Sequence, residues 1–254
     1  MYYLFHILAF VLGAIVGSFL NVCIHRIPRG DSIIKPSSHC PACNQPISFF
    51  DNIPLISYLL LRGRCRHCHT HISFRYPLVE LLSALLSLGL FLKFGLSPHL
   101  FVYLILAWSL VAVTFIDLDT QTIPDVITLS GIIFGFFASF LILQVKYWQL
   151  ALGILLGGGI LYMVAFLYHA LTKKEGMGGG DIKLMAMIGA FLGYESVLPV
   201  IFLASLIGSL VGIIIMMGWK KDRRYAIPFG PFLALSTLMY IFCGQDLVRW
   251  YALR

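Results

Sequence analysis

Two aspartates combine residue type and position in a way that permits chemistry. Asp181 closes the run Gly176-Met177-Gly178-Gly179-Gly180-Asp181, with long apolar sequence on both sides. Asp117 follows a second apolar stretch, Val113-Thr114-Phe115-Ile116. An ionisable side chain beside bilayer-compatible sequence is costly and is by default a functional-site hypothesis. Two neighbouring carboxylates cannot easily both ionise, so they share a proton and titrate apart. The ionised partner can then draw a proton from water while the protonated one polarises a peptide carbonyl. That is the chemistry of an aspartic protease, and no Ser-His or Cys-His pair in the apolar stretches competes for it. His6 and His169 read as interfacial or packing residues.

The chain has eleven acidic residues, so each can be weighed. Asp31, Asp51, Glu195, Asp222 and Asp246 fall in loops or turns and read as solvated, and Glu175 balances Lys173 and Lys174. Glu80, just after Arg75-Tyr76-Pro77, reads first as an N-terminal helix cap, where the dipole favours an anion, and second as a residue near the active site. Asp117 shares the cluster Ile116-Asp117-Leu118-Asp119-Thr120-Gln121-Thr122-Ile123-Pro124-Asp125 with two other acids. Asp125 after Pro124 suits the start of a helix, and Asp119 should be the more exposed of the other two. Position therefore favours Asp117 as the buried acid. Gly178, Gly179 and Gly180 permit unusual φ angles and close approach of a substrate backbone, although a flexible loop ending in a capping aspartate would look similar.

Between the first two apolar stretches lie Cys40-Pro41-Ala42-Cys43 and Cys65-Arg66-His67-Cys68, separated by 21 residues. Four thiolates at this spacing suit tetrahedral zinc, with Cys40, Cys43, Cys65 and Cys68 as ligands. Two disulfides are the rival reading, disfavoured by a cytoplasmic location. A closed four-sulfur shell leaves no open position, so such a zinc would hold structure in a segment too small for a generous core. His39, His67, His69 and His71 read as surface residues. Cys23 and Cys243, in apolar stretches, read as small core residues.

The elements that must position these groups are membrane helices. Hydrophobic residues make up 59% of the chain and charged residues 11%, against roughly 25% charged in soluble domains. The expected fold is an all-α polytopic membrane protein of about eight transmembrane helices, near 3–23, 78–94, 98–116, 126–145, 149–171, 182–194, 197–219 and 227–244. The sixth is short and flanked by glycine. The expected organisation is a first helix over 1–24, a four-cysteine zinc domain over 25–76, and a membrane-embedded domain over 77–254. The N-terminus lacks the basic region and cleavage site of a signal peptide. With 25–76 in the cytoplasm, fourteen basic residues fall inside and four outside, as the positive-inside rule requires. The N-terminus is then outside, and both aspartates sit at the cytoplasmic rim. The net charge of +7 reflects this topology and anionic lipid; the scattered basic residues form no nucleic-acid-binding stripe.

These residues together resemble the bacterial type IV prepilin peptidases, membrane aspartic proteases of the Gly-x-Gly-Asp class. The resemblance runs nearly end to end, through Gly17-Ser18-Phe19-Leu20-Asn21-Val22, Arg26-Ile27-Pro28, the cysteine knuckles, Arg75-Tyr76-Pro77-Leu78-Val79-Glu80, the Ile116-to-Asp125 cluster, Gly176-to-Lys183 and Ile227-Pro228-Phe229-Gly230-Pro231-Phe232. It implies Asp117 and Asp181 as the catalytic pair and the bacterial inner membrane as the location. The implied substrates are prepilins and the pseudopilins of type II secretion, cleaved after a glycine at the cytoplasmic face. It also implies methylation of the new N-terminal residue with S-adenosylmethionine. No nucleotide-binding Gly-rich turn is visible. Gly17, Asn21 and Arg26 could line a site for the methyl donor, though helix packing explains Gly17 as well. A proton-coupled transporter would instead place its acids deep within helices. A zinc-stapled, non-catalytic component of a secretion machine would leave the glycine loop and the second acid unexplained.

Overall fold

The computed structural model describes residues 2–174, 176–219 and 228–244. Glu175, Asp222, Asp246 and Ile227 lie outside the described residues, as do Lys220, Lys221, Arg223, Arg224, Arg249 and Arg254 of the charge map. Among the described residues there are α-helices and short helical turns but no β-strand. The helices are α1 (Tyr2–Arg26), α2 (Ile56–Leu60), α3 (Arg75–Phe94), α4 (Pro98–Thr120), α5 (Asp125–Leu141), α6 (Tyr147–Thr172), α7 (Gly179–Leu192), α8 (Val197–Trp219) and α9 (Gly230–Met239). A π-helical turn, Tyr240–Gly244, continues α9. Continuous apolar sequence takes this form because a helix satisfies its own peptide groups where no water can.

Helices occupy all eight of the expected apolar stretches. Five segments are long and apolar enough to cross a membrane: Tyr3–Arg29, Arg75–Phe94, Pro98–Thr120, Tyr147–Thr172 and Tyr194–Met217. α5, α7 and the α9 segment are shorter than the roughly 20 residues that span a hydrocarbon core. α4 runs four residues beyond its expected end at 116, so Asp117 lies within its last turn.

The chain forms two compact units, Met1–Ala112 and Val113–Arg254, with the division inside α4. In the first, α1 packs on α3 through small residues at four-residue spacing, a membrane-helix device for close backbone approach. A Cβ on Gly13 would stand 2.5 Å from the Ser83 carbonyl oxygen, and one on Gly17 would stand 2.7 Å from the Glu80 Cα. Gly17 is therefore a packing residue. Ser87 donates to the Ser83 carbonyl at 2.7 Å and accepts the indole N–H of Trp108 at 3.1 Å. His6 is also a packing residue, its ring edge-on to Phe91.

In the second unit the central helix is α7, only 14 residues long. Every residue of α7 from Leu184 to Phe191 is buried. α5 and α6 reach it with glycines: a Cβ on Gly135 would stand 2.4 Å from the Phe191 ring, one on Gly153 would stand 2.4 Å from the Gly189 carbonyl oxygen, and one on Gly157 would stand 2.6 Å from that of Met185. Ser139 adds a buried hydrogen bond to the Phe191 carbonyl at 2.8 Å. Cys23 is buried as expected, but Cys243 is exposed, because the terminal π-helical turn directs it outward.

The contact with α7 makes a specific prediction. Gly153→Leu or Gly157→Leu forces α6 off α7, and overpacking of this kind costs about 1–3 kcal/mol. The melting temperature in detergent should fall for both. Gly159 has no atom within 4 Å of its Cβ position, so Gly159→Leu should stay within about 0.5 kcal/mol of the parent. Equal melting of all four proteins would contradict the packing.

Candidate functional site

Asp117 and Asp181 both belong to the second unit and come from different helices. Asp117 is 4% exposed, whereas Asp119, two residues on, is exposed. Its Oδ2 accepts the backbone N–H of Gly230 at 3.0 Å. Gly230 is the first residue of α9, so the positive end of that helix's dipole faces the carboxylate. Nothing larger than glycine fits there: a Cβ on Gly230 would stand 2.6 Å from Asp117 Oδ2 and 3.1 Å from Ile123 Cδ1.

Asp181 lies in the first turn of α7, half-buried, and its backbone N–H donates to the Gly178 carbonyl at 3.2 Å. It lies within electrostatic reach of Asp117. Ile123 is the spacer between the two helix ends. A Cβ on Gly180 would stand 2.8 Å from the Ile123 Cβ, and the Ile123 tip meets Gly230. The loop that carries Ile123 is tied down by an ion pair, Lys183 Nζ to both carboxylate oxygens of Asp125 at 2.7 and 2.8 Å. Both side chains are substantially exposed, so the pair is worth little in stability; it fixes the start of α5 beside the first turn of α7. Asp125 opens α5, as expected.

The glycines before Asp181 differ in what they do. None has a positive φ, so the unusual backbone angles expected of them are not used. Gly178 precedes α7, while Gly179 and Gly180 are already helical, which replaces a flexible loop with an ordered helix start. Gly180 is the close-approach residue, against Ile123. A Cβ on Gly179 would meet nothing within 4 Å, leaving that side of the turn open.

In the first unit the four cysteines converge. The Sγ atoms of Cys40, Cys43, Cys65 and Cys68 all lie within 4.8 Å of one another, and those of Cys40 and Cys68 are 3.8 Å apart. A zinc tetrahedron with Zn–S bonds of about 2.3 Å has edges of about 3.8 Å, so the donor set fits that ion. The two knuckles share one backbone plan. Cys40 N–H donates to the Gln45 carbonyl and Asn44 N–H returns to that of Cys40; Cys65 N–H donates to the Thr70 carbonyl and His69 N–H returns to that of Cys65. Asn44 and His69 occupy the same left-handed position, with φ of 55° in each.

Backbone N–H groups of Cys43 and Ala42 hold the Cys40 thiol below its usual range. The hydroxyl and N–H of Thr70 bring Cys68 down to about 6. Against the N–H of Gln45, desolvation and the other three thiols hold Cys43 up to about 11. Protons crowded among four sulfurs in this way are what a metal would displace. His39, His67, His69 and His71 are exposed and stand outside the cluster.

Two acids differ from their sequence readings. Asp51 is not solvated: it pairs with Arg66, whose guanidinium holds its carboxyl below the usual range. Glu80 does not cap α3, since it lies beyond the helix's first turn and accepts the N–H of Leu55 at 2.7 Å. Leu55 has a φ of +62°, so a strained backbone is held by a buried carboxylate 25 residues away. Sequence reading also missed Gly230, Ile123 and the Asp125–Lys183 pair as parts of the aspartate site. The Pro228-Phe229-Gly230-Pro231 run was the one local signal, since glycine between prolines marks a fixed turn.

Comparison with known proteins gives the family. The profile of the bacterial peptidase A24 N-terminal domain matches residues 11–94, and that of the type IV leader peptidase family matches residues 104–213. A prepilin leader peptidase/N-methyltransferase of Aeromonas hydrophila is 38% identical over 98% of this chain and 94% of its own. Proteins of the same description are 41% identical in Neisseria gonorrhoeae, over 96% of this chain and 92% of the relative, and 37% identical in Pseudomonas aeruginosa, over 97% and 94%. No solved structure matches significantly. With a contiguous likeness of this extent, the chain belongs to the type IV leader peptidase family.

Proposed function

We propose that the chain cleaves the basic leader from type IV prepilins or pseudopilins, and then methylates the new N-terminal residue with S-adenosylmethionine. The observation that carries the first half is the approach of Asp117, buried on α4, and Asp181, half-buried on α7, around Ile123. The two acids share one proton: the ionised one takes a proton from the attacking water, and the protonated one donates to the scissile carbonyl oxygen. Gly230 N–H orients Asp117. Gly178, Gly179 and Gly180 line the approach of the substrate backbone, with the open side at Gly179 giving it room. The methyl-transfer half is supported by the names of the relatives and by the matched N-terminal domain.

The setting follows the charge map: about eight crossings of the bacterial inner membrane, N-terminus outside, and the aspartates and the 25–76 domain on the cytoplasmic side. The helical segments 1–24 and 77–254 then flank that domain as the first anchor and the peptidase region. The four cysteines bind one structural zinc, supported by the 3.8 Å sulfur spacing and the four donors. When bound, the ion joins the two knuckles and takes no part in hydrolysis.

Asp117→Asn and Asp181→Asn keep side-chain shape and remove the shared proton, so each should lower prepilin cleavage in detergent micelles by at least about 10³-fold, a loss of about 4 kcal/mol of transition-state stabilisation. The parent rate should be bell-shaped in pH, falling at low pH as both acids protonate and at high pH as both ionise. Near-parental cleavage by either variant would refute the pair. For the metal, elemental analysis should find one zinc per chain, lost on Cys40→Ser together with Cys65→Ser. Zinc-free protein with paired disulfides would overturn the metal reading.

A further inference from the structure

A cavity of about 460 Å³ opens among α1, the two cysteine knuckles and α3, lined wholly by residues of the first unit. Pockets for cofactor-sized ligands run from about 300 to 1,000 Å³. Val22, Ile53, Tyr58 and Tyr76 give the walls an apolar and aromatic character, and Asn21 and Glu80 supply polar groups. Asn21 is already fixed, its side-chain amide donating to the Tyr76 carbonyl at 3.1 Å.

Glu80 is the chemically unusual member of this lining. It is only 9% exposed, and its hydrogen bonds come from neutral donors, the Leu55 N–H and the Ser18 hydroxyl. A buried carboxylate is ordinarily paired with a cation, and among the described residues none forms a salt bridge with it. The two guanidiniums at the cavity are committed elsewhere. The Arg26 guanidinium donates to the carbonyls of Ser32 and Pro36 at 2.9 and 2.8 Å, and Arg66 pairs with Asp51. Arg26, Arg66 and the imidazoles of His25, His39, His67 and His71 also line the chamber, and among the described residues none of them pairs with its buried acid.

We propose that this cavity is the S-adenosylmethionine site, with Glu80 facing the positive charge of the ligand and the aromatic and aliphatic walls receiving the adenosyl group. The ligand's sulfonium and ammonium are both cations, and aromatic faces attract cations of this kind. The inference rests on the methyl-transfer reading above and adds its location. Glu80 has two tasks in it, holding the Leu55 turn and presenting charge to the ligand.

The test uses the full chain in detergent micelles and the photoreactive probe 8-azido-S-adenosylmethionine, with labelled peptides mapped by mass spectrometry. Label should appear on peptides containing residues 18–26, 53–58 or 76–80 and be displaced by unlabelled S-adenosylmethionine. Glu80→Gln keeps a hydrogen-bond acceptor for Leu55 and removes the charge. It should weaken binding at least tenfold, with elution volume and zinc content unchanged, and Glu80→Asp should recover part of the loss. Displaceable label confined to residues 113–254, or parental binding by Glu80→Gln, would overturn the inference while leaving methyl transfer standing. A parent chain that neither takes displaceable label nor methylates a cleaved prepilin would refute the methyl-transfer reading itself.

Discussion

α7 has eight consecutive buried residues, from Leu184 to Phe191, and helices can crowd it on several sides only where their own side chains are absent. Gly135 on α5, and Gly153 and Gly157 on α6, provide that absence. Lipid offers no hydrophobic drive between helices, so close van der Waals approach through small residues must supply the association. The geometry of the aspartate site inherits this packing. Asp181 stands in the first turn of the same helix, and its position is as fixed as the glycine contacts behind it.

The partner acid is fixed by a second close approach. α9 begins against Asp117, with its first N–H on the carboxylate and no space for a side chain at Gly230. Ile123 fills the gap between Gly180 and Gly230, so one apolar side chain sets how near the two helix starts can come. Three backbone contacts at glycine therefore do what hydrogen-bonding side chains do in many soluble sites. They leave the two carboxylates as the conspicuous polar groups of the locus, where a shared proton has the greatest consequence in a poorly solvated setting.

What was legible in the sequence was local. Apolar runs gave the helices, and the repeated C-x-x-C spacing gave the knuckles. The apolar residues ahead of Asp117 set it apart from Asp119. What was hidden depended on pairs far apart in the chain: Asp117 with Gly230, Glu80 with Leu55, Asp125 with Lys183, and Asp51 with Arg66. Such pairs leave no periodicity to read. Cys243 was misread for a related reason, since an apolar surround in sequence does not say which side of a helical turn faces inward. The glycines before Asp181 were read for backbone freedom and for close approach of a substrate, yet Gly180 gives close approach to Ile123, and only the neighbouring loop reveals that.

Placing a cysteine at each acid tests the meeting of α4 and α7 most directly. Asp117→Cys with Asp181→Cys, in the full chain in native membranes, would be treated with a short thiol-specific cross-linker and digested for mass spectrometry. A cross-link joining the peptides that carry positions 117 and 181 is predicted, at higher yield than the same experiment with Asp119→Cys and Asp181→Cys. Efficient linkage from position 119 with none from position 117 would contradict the site.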